Sequence, residues 1–458
     1  MTSDAIENGF VAVSGGKIVE VGTASALDRF LAQLDCDASA VTHLNLGEAI
    51  VLPGLINLHS HLDYAAMRNF DLDSGFFQWI KNLVTRAWRF TPDEWQASAL
   101  FGAHQAALSG TTLVVDSSYT GLAAWAMAQV GLRGIVGLEI FGLSDERLLQ
   151  TWSEWLKKLE EFKSRNDEEL QDAIENGLIQ MTIAPHTPYS VSPSLWQKAD
   201  EWARENRVPL LCHVAESKQE CQWISNANEE VDAWLDFVDG ARLKTDTSDR
   251  ERHNYPWRSK GLSPVHHLQK FNLLGPHVIA AHAVHVTDED LGILKKHDVR
   301  VAHCPRSNSR LRNGAAPWLK MIRHGLKTGL GTDSLASTDD LSLLSELRFA
   351  AELHRAMDPE FPLTSEQLLA HVTIESARAL SMQDTVGSLA KGKAADIAVF
   401  TLDDQPGPHN TYPPRRGENP YDLLIFGPAR LKHLFVNGER VVIDGQVRNW
   451  QTLTPIPL

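Results

Sequence analysis

Cysteine is scarce and scattered: Cys36, Cys212, Cys221 and Cys304 are the only four in 458 residues, and no paired spacing links them. That excludes a disulfide-framed secreted scaffold. Cys212 and Cys304 fall inside predicted strands, which points to reduced thiols and a cytoplasmic setting. No apolar run approaches the ~18 residues a bilayer span needs, and the N-terminus lacks a basic-then-apolar leader. Neither a membrane partner nor secretion is expected. Basic residues are in deficit as well: Lys+Arg number 43 against 58 Asp+Glu, a net charge of −15. With no basic stripe, a nucleic-acid partner is disfavoured. Internal repeats and low-complexity tracts are missing too. What remains is a globular composition, 43% hydrophobic, long enough for one large domain and something smaller.

Against that plain background one stretch stands out, Pro53-Gly54-Leu55-Ile56-Asn57-Leu58-His59-Ser60-His61. An apolar run leads through Pro-Gly into two histidines spaced one apart. On a strand, residues i and i+2 face the same way, so both imidazoles address one spot, an arrangement suited to Zn²⁺ or a similar ion. With 19 histidines in the chain, such a pair alone is weak. Four further segments share its build, however, each a short apolar run closing on His or Asp. They end at His213, His282, His303 and Asp333. Residues 111–116, 133–141 and 178–185 complete a count of eight strands, the last followed by His186. Helical patterns alternate with them, so the reading is α/β, a closed (β/α)₈ TIM barrel with its site at the strand C-termini.

Helix-start signals agree: Thr91-Pro92-Asp93-Glu94, Thr287-Asp288-Glu289-Asp290 and Ser192-Pro193. Trp196 and Trp202 after the last of these are expected to pack in the barrel shell. The chain ends read differently. Residues 8–22, 385–401 and 430–448 have hairpin patterns around Gly15-Gly16, Asn437-Gly438 and Asp444-Gly445. Residues 1–49 and 385–458 are therefore expected to form one small flanking β-sandwich, with 50–384 as the barrel and 404–420 as an irregular loop. Two stretches, about 160–176 and about 226–262, read as surface excursions.

In order along the chain, the Pro53 to His61 segment, Ala184-Pro185-His186-Thr187-Pro188-Tyr189, His213-Val214-Ala215-Glu216-Ser217, Ala281-His282-Ala283-Val284-His285, His303-Cys304-Pro305-Arg306-Ser307-Asn308 and Gly331-Thr332-Asp333-Ser334-Leu335-Ala336-Ser337 resemble the amidohydrolase superfamily in its aminohydrolase branch. Phe76-Phe77-Gln78-Trp79-Ile80 and the last two segments look most like aminodeoxyfutalosine deaminase and the deaminases of S-adenosylhomocysteine and methylthioadenosine. The resemblance covers nearly the whole chain. It implies a further strand before the one at residues 8–13, and hence a start upstream of Met1.

The resemblance also implies a site. His59, His61, His213 and Asp333 would hold one divalent metal, Zn²⁺ or else Fe²⁺, which lowers the pKa of a water towards ~7. Pro185-His186 stands where two-metal branches carry a carboxylated lysine, so one metal is expected. Asp333 would take the water's proton, Glu216 would protonate a ring nitrogen, and His282 would stabilise charge on the attacking oxygen. The alternatives are a helix N-terminal acid for Glu216 and a buried structural histidine for His282. Chlorohydrolase members tend to alter that acid and histidine pair, so its presence favours deamination. His186, Trp79 and Gln78 are the expected substrate contacts, with Gln78 replacing a glutamate that contacts ribose hydroxyls. Arg306 would pair either with a substrate carboxylate or with a barrel acid. His285 and His303 have no role the chemistry requires. The expected activity is hydrolytic removal of an amino group from a small purine nucleoside-like substrate by a homo-oligomer. A triazine chlorohydrolase, a pterin or guanine deaminase, or a non-catalytic scaffold are the alternatives.

Overall fold

The computed structural model describes residues 5–34, 41–68, 70, 73–243, 255–402 and 419–448. Most of the expected loop 404–420 lies outside them, as does Cys36. The chain opens with a hairpin, β1 (Gly9–Ser14) and β2 (Lys17–Thr23), turning through Gly15-Gly16. The short β3 (Ile50–Pro53) follows. Eight strands then form one parallel sheet: β4 (Leu55–Ser60), β5 (Thr111–Ser118), β6 (Arg133–Ile140), β7 (Ile179–Pro185), β8 (Leu210–Val214), β9 (Val278–His282), β10 (Arg300–His303) and β11 (Lys327–Leu330). They lie in chain order, the arrangement of a singly wound barrel. A parallel bridge between Ser60 and Asp333 closes β11 onto β4. The expected TIM barrel is the observed fold, with strand ends within three residues of those read from the sequence.

One face of these strands is apolar. Ile56, Leu58, Leu113, Val115, Ile135, Ala184, Leu211, Ile279, Ala281 and Ala302 pack as a single cluster across seven strands, the layered filling of a barrel interior. The surrounding helices begin where their caps direct. Thr91 and Thr287 each form a capping box, and Ser192 accepts from the Leu195 N–H. Trp196 is fully buried and Trp202 half-buried in the shell, the packing role expected of both. Among the described residues, no helix is long and apolar enough to cross a membrane.

The outer sheet is antiparallel, ordered β15-β14-β13-β12-β3, with β12 (Ile397–Leu402), β13 (Ala429–Val436), β14 (Glu439–Ile443) and β15 (Gln446–Val447). Asn437-Gly438 and Asp444-Gly445 turn its hairpins with all four φ values positive, the geometry such dipeptides favour. Ile50–Pro53 pairs with β12, so the apolar run before the first histidine pair belongs to this sheet and the barrel strand begins at Leu55. The chain passes from one sheet to the other at Gly54, where a Cβ would lie 2.1 Å from Thr112 Oγ1; only glycine fits there.

Candidate active site

Every barrel strand end named from the sequence converges except that of β10. At the end of β4 the register shifts between Asn57 and Ser60, re-aiming the strand tip. The tip is tied across the closure, since the backbone N–H groups of Thr332 and Asp333 both donate to the His59 carbonyl. His59 Nε2 and His61 Nε2 then lie 3.7 and 3.6 Å from Asp333 Oδ1, beyond hydrogen-bond range. His61 Nε2 faces His213 Nε2 at 3.0 Å. Asp333, His282 and Ala215 hold their places with positive φ (58°, 72° and 54°), a conformation that non-glycine residues adopt at a cost.

Hydrogen bonds behind the rings set their tautomers. His61 Nδ1 lies 2.6 Å from the Ser117 carbonyl and His213 Nδ1 2.9 Å from the His186 carbonyl. A carbonyl only accepts, so each Nδ1 carries the hydrogen. Burial pushes both imidazoles towards the neutral form, which leaves each Nε2 with a bare lone pair. Two lone pairs at 3.0 Å repel unless a cation lies between or beside them. His59 Nε2 is buried with no hydrogen-bond partner. The ligand atoms of His59, His61 and Asp333 fall within 4.8 Å of one another, as do those of His59, His213 and His282 and those of His61, Glu139 and His213. Asp333 is held well below the usual carboxylate range. Burial opposes ionisation there, but His59, His61 and His282 outweigh it. Its other oxygen accepts from Ser307 and Ser337. Neutral imidazoles beside an ionised carboxylate fit a divalent cation.

On the far side, Glu216 Oε1 lies 3.8 Å from His282 Nε2 and accepts from Asn313 Nδ2 at 3.1 Å. Burial first, and Asp333 second, push the Glu216 carboxyl well above its ordinary range. Glu220 accepts the Ala215 and Glu216 N–H groups and so fixes the loop that carries Glu216. His282 Nδ1 is 2.8 Å from Asn308 Oδ1.

His61, His213, Glu216, His282 and Asp333 floor a cavity of about 950 Å³, counted with its open mouth, which His186 and Trp79 also line. Two expected contacts do not reach it. Gln78 is exposed and donates to Asn82 on its own helix. Arg306 is bound to Glu346 and Asp340 and lies outside the cavity wall, so the barrel-acid alternative describes it. His303 is buried against Trp318 and His354, also outside that wall. Other lining groups escaped the sequence reading. Glu139 sits near the end of β6, where the strand-end pattern that located the other groups applies equally, and burial pushes its carboxyl up to about 8. Trp234 and Val238 belong to the helix Glu229–Leu243, within a stretch read as a surface excursion; that helix instead packs on the helix Phe76–Ala87 over the mouth.

The 5-methylthioadenosine/S-adenosylhomocysteine deaminase of Symbiobacterium thermophilum is 31% identical over 417 residues, 89% of this chain and 83% of that protein. The 5′-deoxyadenosine deaminase of Methanopyrus kandleri is 29% identical over 414 residues, 88% and 84% of the two chains. Among solved structures, a zinc-bound adenosine deaminase from Xanthomonas campestris superimposes with a TM-score of 0.75 at 23% identity, covering 98% of this chain and 91% of that one. A zinc-complexed atrazine chlorohydrolase from Arthrobacter aurescens reaches 0.73 at 24%, covering 96% and 91%. The model of the amidohydrolase family matches residues 50–447, nearly the whole of the barrel and the outer sheet, and the chain belongs to that family.

Proposed function

We propose that this protein is a metal-dependent deaminase that hydrolyses the exocyclic amino group from the purine ring of an adenosine-type nucleoside. The observation that carries the reading is the pairing of a buried, protonatable Glu216 with His282, 3.8 Å apart, beside His59, His61, His213 and Asp333. In this reading those four residues hold one divalent ion, zinc as in the two solved neighbours, with Fe²⁺ the alternative. When bound, the ion acts as a Lewis acid that makes water nucleophilic at neutral pH.

The side chains account for the protons. Attack at an amidine-like carbon needs the adjacent ring nitrogen protonated, and a carboxyl kept neutral by burial can donate to it. Glu216 has that character and lies on the cavity floor. His282, with Nδ1 donating to Asn308, presents Nε2 as an acceptor for one proton of the attacking water and, 3.8 Å from Glu216 Oε1, returns it to the carboxylate that Glu216 leaves. Asp333, ionised and steadied by Ser307 and Ser337, accepts another and relays it towards departing ammonia. The names of the curated relatives support the adenosine ring as the reacting group. A cytoplasmic, homo-oligomeric enzyme is proposed with it. The test is an ammonia-release assay of zinc-loaded protein on methylthioadenosine, S-adenosylhomocysteine, adenosine, guanine, pterins and triazines. Release from an adenosine-type nucleoside supports the reading; chloride release from a triazine with no nucleoside turnover overturns it.

A further inference from the structure

Outward from the reacting groups the cavity changes character. Its floor carries three carboxyl groups, Glu139, Glu216 and Asp333, and among the described lining residues there is neither lysine nor arginine. The upper wall comes from two helices, Phe76–Ala87 and Glu229–Leu243. They contribute Phe76, Trp79, Leu83, Val84, Trp234 and Val238. The aromatic members form a continuous surface: Trp79 stacks on Phe76 at 6.2 Å, and Trp234 meets Phe77 at 6.3 Å and Tyr189 at 5.7 Å. Lys81, on the first of these helices, is turned onto the Phe237 ring, 4.9 Å from its centroid, and does not line the cavity. Arg306, the one cation expected from the sequence, is committed to Glu346 and Asp340.

The indole nitrogens of Trp79 and Trp234 are buried behind this wall and add no polar atom to the cavity surface. Among the described residues the wall therefore offers nothing that would offset the cost of stripping water from a charged group.

We propose that the substituent extending from the reacting ring is uncharged and mainly apolar, held between these two helices against Phe76, Trp79, Leu83, Trp234 and Val238. The inference deepens the deaminase reading, on which it rests for the identity of the ring. It separates substrates which that reading leaves together. Methylthioadenosine carries a short apolar arm, whereas S-adenosylhomocysteine carries a zwitterionic amino acid on an otherwise similar frame.

The experiment measures dissociation constants of these two compounds on zinc-loaded Glu216→Gln protein by tryptophan fluorescence, alongside ammonia release by the unsubstituted enzyme. Methylthioadenosine should bind at least roughly 100-fold more tightly, the order expected when a charge is desolvated without a partner. Val84→Arg and Val238→Arg, each placing a cation at the half-buried edge of one helix, should each narrow that ratio by about tenfold through a charge-assisted contact. Equal affinities, tighter binding of S-adenosylhomocysteine, or binding of neither compound overturns the inference. Equal ammonia release from both would do so while leaving the deaminase reading intact. Tight, selective binding of methylthioadenosine without ammonia release would do the reverse.

Discussion

Arg306 Nε donates to Glu346 Oε1 at 2.7 Å, and the backbone N–H of Arg306 donates to the other oxygen of the same carboxylate. The guanidinium also reaches Asp340 at 2.8 Å. Glu346 is fully buried, so the pair is an internal brace between the segment after β10 and the helix Leu343–Met357. The next residue, Ser307, donates to Asp333, which makes the brace a support for the site rather than a reader of ligands.

Arg306→Met leaves the Glu346 carboxylate buried without its partner. At pH 8 the variant should lose about 3 kcal/mol of stability, the lower part of the range for breaking a buried pair. Urea denaturation measures it. Michaelis constants should move equally for all substrates. A selective rise for a carboxylate-bearing nucleoside would return Arg306 to the ligand.

The same pair sets a pH dependence. Burial lifts the Glu346 carboxyl to about 7, against the pull of Arg306. Its folded value therefore exceeds its unfolded one, and the fold binds the proton more tightly. The resulting stability is complete below about pH 4.5, the unfolded carboxylate value, and is lost as pH rises through 7. Stability of the protein relative to Glu346→Gln should fall across that window by up to about 1.4 kcal/mol per pH unit. A flat difference between the two proteins from pH 5 to 8 would show that Glu346 stays ionised in the fold.

Purified protein should carry close to one divalent ion per chain, and His61→Ala should lose both the ion and turnover. Chelation should also lower thermal stability, because the facing nitrogens of His61 and His213 then lack the cation that reconciles them. Free zinc at about 1,000 times its dissociation constant adds about 4 kcal/mol. Elemental analysis and differential scanning calorimetry read the two effects. Full metal content in a His59→Ala/His61→Ala double variant would refute the assignment.

Glu216→Gln keeps the shape of the side chain and its contact with Asn313 but has no proton to give. Metal content and nucleoside affinity should persist while turnover falls by about 10²–10⁴-fold. Ordinary turnover would make Glu216 a structural acid.

The site residues on strand ends were readable because a parallel barrel places strand termini together whatever lies between them. His59, His213, His282 and Asp333 each close an apolar run, and that regularity stands in for tertiary information. Arg306 has the same local context, yet its partner Glu346 is 40 residues further on, on a separate helix, and no local pattern announces such a pair. Trp234 was hidden for another reason. Its helix is amphipathic and acidic in the first turn, as any surface helix is, and only its packing over the mouth turns its apolar face into cavity wall. Glu139 obeys the same strand-end rule, one residue before the end of β6, but nothing in its local sequence marks it as buried.

The crossing at Gly54 ties the two sheets at a single residue. The Gly54 N–H donates to the Asp396 carbonyl, while the Asp396 side chain takes two hydrogen bonds from Arg133 at the start of β6 and one from the Asn437 N–H. Asp396 thus links the outer sheet to the barrel through backbone and side chain at once. The two parts should therefore melt as one cooperative unit, with a single calorimetric transition. Residues 55–384 excised from the chain should lose this anchor and be less stable than the whole protein, which calorimetry of the two would show.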